Sequence, residues 1–70
     1  MYQMSKEEYL KFLWEFRYNR VLSVIETKDL FLIERYLSVL VYFKEVAQNR
    51  GVQGQVEVEQ EMIDILINYI

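Results

Sequence analysis

The chain has no cysteine, no histidine and no proline, and only two glycines among its 70 residues. Without cysteine no disulfide can form, and without thiolate or imidazole a zinc site has lost its usual ligands. The same absences thin the choice of catalytic groups. Proton transfer would fall to Glu, Asp, Lys or Tyr, and nucleophilic attack to Ser5, Ser23 or Ser38, none with an evident base. Both glycines stand in Gly51-Val52-Gln53-Gly54 with no Lys-Ser or Lys-Thr behind them, so this is not a phosphate-binding loop. A long apolar run is missing too. The most apolar stretch, residues 30–43, is interrupted by Glu34-Arg35 and is shorter than the roughly 20 residues of a spanning helix. The opening residues, Met1-Tyr2-Gln3-Met4-Ser5-Lys6, show neither the basic start and apolar run of a signal peptide nor a lipidation box. These features lead to the expectation of a cytoplasmic, non-enzymatic protein with no catalytic, cofactor or metal site and no membrane partner.

What is present is apolar and aromatic. The hydrophobic fraction is 53% and the aromatic fraction 16%, with six Tyr, four Phe and one Trp, which excludes a disordered tail. A domain of this size buries only about 60% of its unfolded surface, so one without disulfide or metal needs dense helix packing or a second chain. The net charge of −3 is unevenly spread. Residues 1–28 carry five basic and four acidic groups, residues 29–50 three of each, and residues 51–70 four acids and no base. An acidic last third repels phosphate backbones and weighs against nucleic acid as a partner.

Three helices are expected within one small domain. Ser5-Lys6-Glu7-Glu8 has capping-box spacing, which starts the first helix at about residue 6 and carries it to 26. At 100° per residue its polar side gathers Glu8, Lys11, Glu15, Asn19, Ser23 and Glu26. The apolar side holds Tyr9, Leu10, Leu13, Trp14, Phe16, Val21, Val24 and Ile25, while Phe12 and Leu22 intrude on the polar one. Thr27-Lys28-Asp29 supplies N-cap residues and is short enough to force the next helix, about 29–50, antiparallel. In that helix Glu34, Ser38, Glu45 and Asn49 form one narrow polar strip. Leu30, Phe31, Leu37, Val41 and Tyr42 spread apolar surface round both flanks. Gly51 suits a left-handed helix stop, and residues 51–55 read as a linker. Beyond it Glu57, Glu61, Asp64 and Asn68 oppose Met62, Ile63, Ile65, Leu66, Tyr69 and Ile70, a helix at about 57–69. The fold expected is therefore all-α: a hairpin of two long antiparallel helices with a shorter C-terminal helix, assembling into a dimeric helical bundle.

The second helix has more apolar circumference than so short a chain can cover, which points to a homodimer and to a further, unidentified protein partner. Arg17 and Arg20 sit inside the apolar arc of the first helix, where a guanidinium needs a carboxylate or a carbonyl. One reading pairs them with an acid of the same chain such as Glu34 or Asp64. The other makes them anchors in an interface with Trp14, Tyr18, Leu32, Tyr36, Val39, Leu40 and Phe43, since aromatics and arginine dominate binding hot spots. Lys6, Arg17, Arg20 and Lys28 also share a sector of about 80°, a possible basic stripe for nucleic acid with tyrosines such as Tyr2, Tyr9 and Tyr18 for stacking. Apolar Leu10, Leu13, Val21 and Val24 fall in the same sector and favour burial. Glu57, Glu59 and Glu61 resemble a metal cluster, but Glu59 points away from the other two, and a solvated first turn is the ordinary reading. An adaptor or regulator is the function expected, with a nucleic-acid-binding dimer or a subunit of a larger assembly as alternatives.

Overall fold

A computed structural model describes residues 4–70. It contains α1 (Lys6–Glu26), α2 (Leu30–Arg50) and α3 (Gln53–Tyr69), with no strand among the described residues. The capping signals act where the sequence places them. The Ser5 hydroxyl accepts from the Glu8 amide at 3.1 Å and starts α1. At the other end the Thr27 hydroxyl donates to the Val24 carbonyl and accepts from the Asp29 amide, while the Asp29 carboxylate caps α2 through the Phe31 amide at 3.0 Å. This knot of three hydrogen bonds makes the reversal without glycine. It requires Lys28 at φ 56°, a left-handed conformation that costs any side-chain-bearing residue. Gly51, at φ 72°, ends α2 as its composition indicates.

The linker is shorter than expected. Only Gly51 and Val52 separate α2 from α3, whose first turn takes in Gln53, Gly54 and Gln55. Gly54 serves proximity, since a β-carbon there would stand 2.5 Å from Leu10 Cδ1. Residues 53–55 look like a loop locally, and the packing of α3 on α1 draws them into helix.

α1 and α2 lie antiparallel, and α3 crosses one side of the pair. It packs most extensively on α2 and then on α1, whereas α1 and α2 touch each other least. The core is Val21 of α1, Ile33 and Leu40 of α2, and Met62, Ile63 and Leu66 of α3, with Trp14, Tyr18, Tyr36 and Leu37 against its edge. The molecule measures 40 × 23 × 18 Å, so one layer of side chains fills it.

Candidate interaction surface

Two polar contacts fix α3 on α1, and both use residues expected at an interface. Arg17 Nε donates to the two carboxylate oxygens of Glu59 at 2.9 and 3.3 Å. The Arg17 side chain is 12% exposed and Glu59 is fully buried. Gln55 donates to the same carboxylate, and the guanidinium carbon lies 4.2 Å from the Phe43 ring centroid. Trp14, stacked on Tyr18 with centroids 4.7 Å apart, donates its indole N–H to Glu61 at 2.9 Å. On the α2 side Lys44 donates to Gln60, which in turn donates to Asp64.

Arg17 therefore does find an intramolecular acid, but the acid is Glu59 and neither Glu34 nor Asp64. The reading of Glu57, Glu59 and Glu61 as a solvated first turn is likewise corrected: Glu59 is interior and Glu61 binds Trp14. A signal for Glu59 exists in the sequence. At 100° per residue it falls between Leu66 and Ile63 on the apolar face of α3, as Arg17 falls within that of α1, and two opposite charges each stranded in an apolar arc are natural partners.

The nine residues expected at an interface divide by location. Leu40 is fully buried in the chain's own core. Trp14, Arg17, Tyr18 and Phe43 are half-buried where the helices meet. Arg20, Leu32, Tyr36 and Val39 come together in an open groove between α1 and α2, of about 390 Å³. From α1 the groove also takes Ser23 and Val24, from the turn Thr27, from α2 Arg35, and from α3 nothing. Tyr36 is one of its lining residues and also packs against the core. Burial raises the Tyr36 pKa above its ordinary 10.0; Arg17 and Arg20 oppose the rise and Glu59 adds to it. Although Arg17 is near, its Nε is committed to Glu59, and the buried Tyr36 hydroxyl has no hydrogen-bond partner among the described residues.

Large apolar side chains remain uncovered on α1 and α2. On α1, Phe12 and Phe16 are exposed, Phe16 by 67%, although Phe16 was expected on the covered side. On α2, Phe31 is 67% and Tyr42 61% exposed, with Leu30 and Val41 beyond the polar strip. Within α2 the greatest exposure thus lies on the flanks, outside the row of Leu32, Tyr36, Val39 and Phe43. The basic stripe on α1 loses Arg17 to Glu59, while Lys6, Arg20 and Lys28 stay exposed; Tyr2 lies outside the described residues. No helix is long and apolar enough to cross a membrane among the described residues. Set against protein-family models, curated proteins and solved structures, the chain matches none.

Proposed function

We propose that this protein is a non-enzymatic protein–protein interaction module, a cytoplasmic adaptor or regulator that works as a homodimer. The observation that carries the reading is the outer face of α2, where Phe31 and Tyr42 stand mostly in water beside Leu30 and Val41. Covering a large apolar side chain contributes about 1.5–3 kcal/mol, so association through this face removes a cost that the monomer bears. Glu34, Ser38 and Glu45 run between these residues and give the seam a polar register. Arg17, paired with Glu59 within the fold, serves packing and leaves the outer face of α2 as the surface of the proposal.

Light scattering across a dilution series tests the proposal. The parent chain is expected at twice its 8.6 kDa mass, with dissociation on dilution. Phe31→Glu and Tyr42→Glu, at exposed positions, are expected to give monomers of unchanged helicity by circular dichroism. A parent that stays a single copy at every concentration and binds no dye for exposed apolar surface removes the dimer.

A further inference from the structure

The groove between α1 and α2 carries charge of one sign. Arg20 and Arg35 line it, no aspartate or glutamate does, and neither guanidinium has an ion-pair partner among the described residues. The acids nearest in sequence are turned away: Glu15 and Glu26 stand about 140° and 120° round α1 from Arg20, and Glu34 about 100° round α2 from Arg35. Between the arginines the walls are apolar, with Val24, Leu32, Val39 and the Tyr36 ring. The far side of the same helix pair shows how this fold satisfies such a surface. There α3 lays its apolar face across α1 and α2, and its buried Glu59 neutralises Arg17, one turn from Arg20.

We infer that the open groove docks a fourth helix, amphipathic and acidic, from a different protein, which sets a carboxylate between Arg20 and Arg35 and apolar side chains on Leu32 and Val39. The inference rests on the binding-module reading above and names the chemistry of the partner. Charge argues against a second copy as occupant, since a two-fold contact on this face brings four arginines together without an acid from the groove. Length argues against a small free acid. The apolar strip runs on past the groove, to Phe16 one turn before Arg20 and to Tyr42 three residues after Val39, both exposed, and a helix covers that span.

The test uses the full chain, nitrogen-15 labelled, and three synthetic helical peptides with one leucine-rich face. They differ only in the residue set toward the arginines: Glu, Gln or Lys. The Glu peptide is expected to shift the amide resonances of residues 20–27 and 32–39 and to bind at least about tenfold more tightly than the Lys peptide, with Gln between. Arg20→Met and Arg35→Met should each reduce that preference while circular dichroism stays unchanged. Equal affinities, or no binding, overturn the inference. So does saturation of the groove by octanoate at an affinity matching the Glu peptide, which makes it a small-acid site, or a shift of the groove resonances on dilution alone, which makes the occupant a second copy. A Phe31→Gln chain separates the two readings, because it removes an apolar contact of the proposed dimer without setting an acid one turn before Arg35, and it binds the Glu peptide as a monomer if the groove is a docking site, whatever the parent's mass.

Discussion

Arg17 and Glu59 form an ion pair whose halves depend on each other, since Glu59 is fully buried. A buried ion pair adds little net stability over apolar side chains of the same volume, because both charges give up hydration, but removing one partner strands the other. Glu59→Ala is therefore expected to cost about 3–5 kcal/mol, a large share of the stability of any domain this small. Arg17→Met combined with Glu59→Leu should recover most of it. Urea titrations followed by circular dichroism measure both, and a Glu59→Ala chain as stable as the parent would refute the assignment. Tyr36 gives a second prediction, at alkaline pH. Its pKa is raised in the folded chain, so its contribution is whole below the unfolded value of 10.0 and is lost as pH climbs from there through the higher folded value. Tyr36→Phe, which deletes a hydroxyl with no hydrogen-bond partner among the described residues, should match or exceed the parent in stability at neutral pH and gain on it further above pH 10. A gap between the two that stays constant from neutral to strongly alkaline urea melts would exclude the effect.

At the level of the helices, the two breaks solve one problem by opposite means. Lys28 and Gly51 both take the left-handed conformation, and only the second suits it. Lys28→Gly is expected to stabilise the chain by up to about 1 kcal/mol, because the hydrogen bonds of Thr27 and Asp29 already hold the turn. Gly51→Ala should destabilise it by about 1 kcal/mol through backbone strain alone, since the space around the missing β-carbon is empty. Thermal unfolding of the pair gives shifts of opposite sign if the turns are as described. The limits of α1 and α2 were legible from Ser5, Asp29 and Gly51, because a cap is a contact within four residues. The start of α3 was not. Val52 offers no side-chain cap, and Gln53-Gly54-Gln55 becomes helical through its closeness to Leu10, more than forty positions away in the chain.

Over the whole molecule, the distribution of uncovered surface matters more than its amount. α3 closes one side of the α1–α2 pair and leaves the other open, so apolar residues that a helical wheel assigns to a core divide between Leu40, fully buried, and Val39, at the groove's edge. The proposed dimer uses the outer flank of α2 and the proposed partner the groove beside it; Tyr42 borders both, and Phe31 and Arg20 are the residues that belong to one alone. Phe31→Gln should therefore change mass without changing peptide affinity, and Arg20→Met the reverse.

The sequence by itself determined that this chain is three helices with a tight reversal and an excess of apolar surface, because periodicity, caps and composition act over a few residues at a time. Of the candidate surface it revealed the stranded arginines and the broad greasy face of α2. Tertiary structure alone decided that Arg17 meets Glu59 while Arg20 and Arg35 meet no acid among the described residues, that Gly54 is a crossing point, and that Phe16 faces outward. Those outcomes depend on the rotation at which α3 docks against α1 and α2, and that rotation is set by the packing of the whole core.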